Sequence, residues 1–455
     1  MTKKWVGRGA TDSFDPRQDG ELVEENIYDV LGDLKFHTDG NGNTTKYKYN
    51  LLGQLKEVEY PMDSTMEMDG TSPYKVNYEY DAMRNLKKES DNYNKEILYE
   101  YDDVGRLQSE TAQKSDGTES ITVCIRYDSN GNVRFEIDGE GNETEYKYDE
   151  LNRLKEMKNV VIKGSQTIEH IKGYTYDKND NLLTTTNSVI RGGNTAESIV
   201  ENVYDEINRL IEKKDAYGVS IEKIIYDESN RQIYSYDALN KRTDYEYDKN
   251  DRLIKTIKPE VNFERSIVIN VYDFAGNVMI KEDGENNQTT YVYDEFGRLD
   301  YVIDAIGQKT NYEYDLNGNM IKQEMFDANE NLVLSTTYQY NASNLMTKKI
   351  DHNGDENDKR TFEEYEYNAK GELRKKFGRG RYQSLFVGTE VLYEYDIHGR
   401  LTEERATNPR HPRVVISYEY DDNGNQEKMT DDTGETTRTY DELNRVISKN
   451  VGNIS

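Results

Sequence analysis

Only one cysteine, Cys124, occurs in 455 residues. That excludes an internal disulfide and any metal site built from several thiolates. Cys124 sits in the alternating run Ile121-Thr122-Val123-Cys124-Ile125, the pattern of a buried, inert thiol. No stretch approaches the ~18 consecutive apolar residues of a membrane span. The segment Met1 to Gly7 lacks the apolar core of a signal peptide. Positive charge is also short: 59 Lys and Arg face 88 Asp and Glu, a net charge of -29. This balance opposes nucleic acid, whose phosphates are bound by Lys and Arg, and it opposes insertion into an anionic membrane. Apolar residues make up 34% and charged residues 32%, a balance that on its own leans towards disorder. Against that, 38 tyrosines are regularly placed and only 6 prolines interrupt them. Such regularity calls for a search for internal repeats before any other reading.

Tyr followed by Asp or Asn recurs along almost the whole chain, and the commonest spacing is 21 residues, as from Tyr28 to Tyr49, Tyr127 to Tyr148 and Tyr293 to Tyr314. Each repeat carries two turn signals. One follows the tyrosine, as in Asp149-Glu150-Leu151-Asn152-Arg153-Leu154 and Asp294-Glu295-Phe296-Gly297-Arg298-Leu299. The other lies ten residues on, as in Asp138-Gly139-Glu140-Gly141 and Asp304-Ala305-Ile306-Gly307. Asp at the first turn position accepts a hydrogen bond from a backbone N–H two residues on. Gly and Asn alternate at the fourth position because they best tolerate φ > 0. This is the chemistry of a three-residue hairpin loop with a bulge. Turns every 10 to 11 residues leave strands of about six or seven residues, so the array reads as a continuous antiparallel meander.

The pairing follows from the turn. Asp149–Arg153, Asp205–Arg209, Asp294–Arg298 and Asp441–Arg445 are expected as cross-strand ion pairs. One residue further out, Tyr148 should face Leu154, Tyr204 should face Leu210 and Tyr293 should face Leu299. Each such pair adds roughly 0.2–1 kcal/mol relative to Ala–Ala. Strict alternation then makes one face Tyr/Leu-rich and the other charged. Asn152 and Gly297 should both have φ > 0.

Long repeats keep the Tyr-Asp turn and expand the other one, as in Asn159 to Gln166 and the basic run Arg374 to Arg381, read as a solvated loop. Pro61, Pro73, Pro259, Pro409 and Pro412 fall in the same part of the repeat, away from central strands. Insertions should therefore crowd one edge of the sheet. Residues 1–26 lack the repeat and form an atypical leader or a degenerate first repeat, with Phe14 to Gly20 as the candidate turn. Residues 27–455 form an array of about 18 repeats. The chain closes at Asn453-Ile454-Ser455 within what reads as a repeat, which suggests a segment of a longer protein.

Calcium is the most tempting ligand, because Asp39-Gly40-Asn41-Gly42-Asn43 and Asp315-Leu316-Asn317-Gly318-Asn319 are oxygen-rich. An EF-hand needs a 12-residue loop, a closing Glu and two flanking helices. None of these fits, and turn chemistry accounts for the residues without a metal. His37, His170, His352, His398 and His411 show no metal-ligand spacing and read as solvated loop residues. No nucleophile elbow, Cys/His arrangement or phosphate loop is present. No catalytic residue, cofactor or metal is expected.

Tyr291-Val292-Tyr293-Asp294-Glu295-Phe296-Gly297-Arg298-Leu299 resembles the motif of the YD-repeat or Rhs-repeat family, and the resemblance extends over residues 28–455. The family includes bacterial Rhs and wall-associated polymorphic toxins, toxin-complex shells and teneurins. The resemblance implies an all-β hairpin array that curls into an open spiral or partial hollow shell. It implies an extracellular or cell-surface scaffold whose partners are other segments of a longer parent chain and an enclosed toxic domain. The alternative is an adhesion module that binds glycans or proteins. The chain departs from the family's toxins in its Asp-Pro-x-Gly-type core motif: its single Asp-Pro is Asp15-Pro16, near the start. No distinct toxin domain follows, so the resemblance carries neither cargo nor self-cleavage into this chain.

Overall fold

The structure, a computed structural model, describes residues 2–7, 20–62, 73–163, 166–262, 264–352, 355, 357–382, 385–409 and 411–453. The described residues contain 37 strands and no helix. The strands are antiparallel, each paired with its neighbour in sequence, and they form one sheet whose first and last strands are not paired to each other. A typical repeat runs Glu143–Tyr148, turn, Leu154–Lys163. Tyr148 pairs with Leu154 across the turn, with a register shift between Lys147 and Tyr148. The same shift precedes Tyr49, Tyr80, Tyr204, Tyr272 and Tyr420. It is the bulge that an extra αL residue inserts into the ladder.

Several insertions prolong strands and are not loops. Asn159 to Ile162 continue the strand Leu154–Lys163, which pairs with Gln166–Tyr176, and Leu182–Arg191 pairs with Asn194–Tyr204. The basic run lies in the strand Leu373–Tyr382, where Lys375 bonds Glu366 and Glu390 and Lys376 bonds Glu363. β-Branched residues such as Val160, Val161 and Ile162 let the hairpin lengthen. At the start of the chain, Thr2–Gly7 pairs with Gly20–Tyr28. The candidate turn between them lies, apart from Gly20, outside the described residues.

Two compact units are distinguished: residues 1–123, 292–439 and 448–455, and residues 124–291 and 440–447. Within each, the sheet returns against itself. In the first, Asn41 Nδ2 donates to Asp315 Oδ2 and Asn317 Nδ2 donates to Asp39 Oδ2. In the second, the Ile162 N–H donates to Glu442 Oε1. These partners are 274, 278 and 280 residues apart in sequence. The sheet is otherwise a single layer with a very small core. Among the described residues the buried apolar side chains are Val58, Val76, Val161, Ile224, Ala342 and Ala369. Cys124 is half-buried rather than enclosed, because a one-layer sheet offers little interior.

Candidate functional site

The tyrosine–aspartate turn is the repeated chemical unit, and Asp149 shows its wiring. Its Oδ1 accepts the N–H groups of Leu151 (2.9 Å) and Arg153 (3.0 Å). Its Oδ2 accepts Arg153 Nε at 2.8 Å and Nη2 at 2.7 Å. The Asn152 N–H closes the turn on Asp149 O at 3.0 Å, with φ 62° at Asn152. Hydrogen bonds from the Arg153 side chain and backbone hold the Asp149 carboxyl below its ordinary range. The turn at Asp294 is the same, with Phe296 N and Arg298 N each 2.9 Å from Oδ1, Arg298 Nε 2.8 Å from Oδ2, and φ 75° at Gly297. Tyr293 and Leu299 flank it at the ends of their strands. Tyr204 pairs with Leu210, and Arg209 and Arg445 bond Asp205 and Asp441 at 2.7 and 2.8 Å.

The arginine does more than close its own turn. Arg153 Nη1 donates to Asp177 O (2.8 Å) and Asp180 Oδ1 (2.7 Å) of the next repeat. Its guanidinium lies 4.8 Å above the ring of Tyr176. Arg209 over Tyr226, Arg252 over Tyr272, Arg298 over Tyr314 and Arg400 over Tyr420 repeat the stack. Charged and tyrosine-rich faces are therefore not strictly segregated. The bulge breaks the period of two, and the long guanidinium reaches a ring of the following repeat.

Tyrosine hydroxyls complete the link. Tyr176 OH donates to Leu154 O, Tyr204 OH to Leu182 O, Tyr226 OH to Leu210 O and Tyr420 OH to Leu401 O, at 2.8 to 3.1 Å. Each hydroxyl thus satisfies a carbonyl of the preceding repeat. Burial raises the pKa of Tyr148 and Tyr176 above the ordinary phenol value. Leucine in the motif offers both an apolar contact and this backbone acceptor. The spacing signalled the tyrosine and the leucine, but not that their bond runs between repeats.

The histidines are also better tied than loop residues. His37 lies on a strand with Nδ1 2.9 Å from Asn26 Oδ1, and His352 is buried beside Thr337. His398 Nε2 is 3.0 Å from Glu119 O, and His170 Nε2 is 3.1 Å from Arg445 Nη2. The side chain of His411 lies outside the described residues. Among the described residues no group of three or more His, Cys, Asp or Glu is placed to hold a metal. At Asp39 the carboxylate oxygens accept the Asn43 N–H and the amides of Asn43 and Asn317. No helix among the described residues is long and apolar enough to cross a membrane.

No family model matches the chain. Teneurin-m of Drosophila melanogaster is 26% identical over 177 residues, which is 38% of this chain and 6% of that protein. A chain of the Photorhabdus luminescens Tc holotoxin pore aligns with TM-score 0.50 and 13% identity, over 97% of this chain and 28% of that chain. TcdB2–TccC3 without its hypervariable C-terminal region matches with the same values. The chain therefore spans a small part of each of these proteins, and the structural likeness is one of fold. Repeat motif and register are similar to those of YD/Rhs-repeat proteins, and the fold is shared with the Tc toxin chains.

Proposed function

We propose that the chain is a structural scaffold: a segment of a secreted bacterial shell that encloses a toxic domain carried elsewhere in a longer parent protein. The observation that carries this reading is the linkage of each repeat to the next through backbone ladders, arginine stacks and tyrosine hydroxyls, with the sheet also returning against itself. That design holds a wall together. The likeness in fold to chains of a Tc holotoxin and of TcdB2–TccC3 without its hypervariable C-terminal region supports the shell over other scaffolds. The partners on this reading are flanking segments of the parent chain and the enclosed domain, and the location is extracellular.

Cryo-electron microscopy of the chain within its full reading frame tests the proposal. A hollow wall around separate protein density is the expected result. A solid particle, or glycan-array binding by the chain with no enclosed density, would overturn it.

A further inference from the structure

In the first unit the later stretch of the sheet docks its tyrosine–aspartate turns on the opposite-type turns of the earlier stretch. Leu316 lies against Gly40, close enough that a Cβ on Gly40 would sit 2.8 Å from Leu316 Cβ and 2.9 Å from its carbonyl oxygen. Lys370, in the turn Asn368 to Gly371, bonds Asp91 at 3.3 Å and lies over the ring of Tyr93. His398, in the turn Asp396 to Gly399, meets Glu119 O. The docked turns are covered to different extents: Ala342 and Ala369 are each 7% exposed, whereas Leu316 remains 37% exposed.

The same turns of the earlier stretch are bare. Leu31, Leu52, Met83 and Val104 occupy the apex position at 79%, 62%, 68% and 74% exposure. They form an apolar row along one edge, rimmed by turn carboxylates and amides. Single exposed apolar residues are ordinary, but a row of this kind marks an interaction surface. The surface that fits it is present too. The opposite-type turns of the later stretch, Asp304 to Gly307 and Asp327 to Glu330, have exposed apices, with Ile306 at 70%.

We infer that the bare row takes the opposite-type turns of a second copy of this chain, repeating between molecules the seam that already exists within one. Both mating edges lie on one chain and differ from each other, so the contact is heterologous and does not close on itself. Copies would stack head to tail. The net charge of -29 repels such stacking at low ionic strength, so added salt should strengthen it.

Sedimentation of the chain tests this from ~1 to ~100 μM. The mass should rise from 53.0 kDa towards its multiples, and more so at high salt. A variant with Leu31→Asp, Leu52→Asp and Met83→Asp should stay monomeric, as should one with Ile306→Asp and Ala328→Asp. Mixed together, the two should form a dimer of one each and nothing larger, because each supplies the edge the other lacks. Circular dichroism confirms that both variants are folded. A wild-type chain monomeric throughout, a blocked variant that still self-associates, or folded variants that fail to recombine would each overturn the inference.

Discussion

Two sets of turns in the first unit have the same local chemistry and opposite surroundings. At Asp102, Oδ1 accepts Val104 N at 3.0 Å and Arg106 N at 2.9 Å; at Asp396, Oδ1 accepts His398 N and Arg400 N at 2.9 Å. Gly105 and Gly399 have φ 83° and 80°. Yet Val104 is 74% exposed while His398 is half-buried against Glu119. The bonds that Asp accepts in each turn thus close within five residues, whatever surrounds the turn. Docking adds to it without reshaping it.

The largest expected effect strikes docked and bare turns alike. Burial, with Glu89 and Glu110 respectively as the next contributors, pushes Tyr78 and Tyr99 up to about 12. A phenol whose folded pKa is raised contributes stability below the unfolded value of ~10 and loses it as pH rises towards that of the fold. Far-ultraviolet circular dichroism should show cooperative unfolding between pH ~10 and ~12. Retention of the sheet above that range would mean the tyrosine ladder is dispensable.

Gly40→Val should separate the two environments. Its side chain would collide with Leu316, including backbone, and cost about 1–3 kcal/mol in thermal unfolding. Leu52→Asp, on the bare edge, should stay within about 0.5 kcal/mol of the wild type. Equal losses would erase the distinction between docked and bare edges.

Tyr176→Phe removes the hydroxyl that donates to Leu154 O at 2.9 Å and keeps the ring beneath Arg153. Urea denaturation should register a loss of about 0.5–1.5 kcal/mol. No change would show that the ring stack alone joins the repeats.

The smallest effect is a pH-dependent loosening of the seam in the second unit. Burial first, then Arg445, lowers the pKa of His170, while Asp441 pulls the other way; Asn159 and Val189 are its partners on the flanking strands. A depressed histidine pKa means stability present above ~6.5 and lost as pH falls through the lower folded value. The Asp149 carboxyl is held low by Arg153, so its turn should last until pH falls below ~4. Hydrogen exchange should therefore speed up at Ile162, whose N–H reaches Glu442, while Leu151 stays protected. Parallel acceleration at both sites would sink this ordering.

Much of this was legible in the residues because the signals are local. Asp149, Asn152 and Arg153 lie within one turn, and their bonding follows from φ preference and reach. The extended hairpins were less legible. Asn159 to Gln166 looks like a loop by comparison with shorter repeats, yet Val160, Val161 and Ile162 prolong a strand. The link from Arg153 to Tyr176 was hidden because alternation assigns them to opposite faces, and only the bulge lets them meet.

By itself the sequence determined the turn geometry and the Tyr–Leu register, since each depends on partners within about one repeat. Tertiary structure alone decided which turns are covered. Leu51 and Leu316 occupy the same place in their turns, one fully exposed and the other lying against Gly40. Nothing local tells them apart. The difference depends on which turns meet when distant stretches of the first unit come together, as Asn41 and Asp315 do from 274 residues apart.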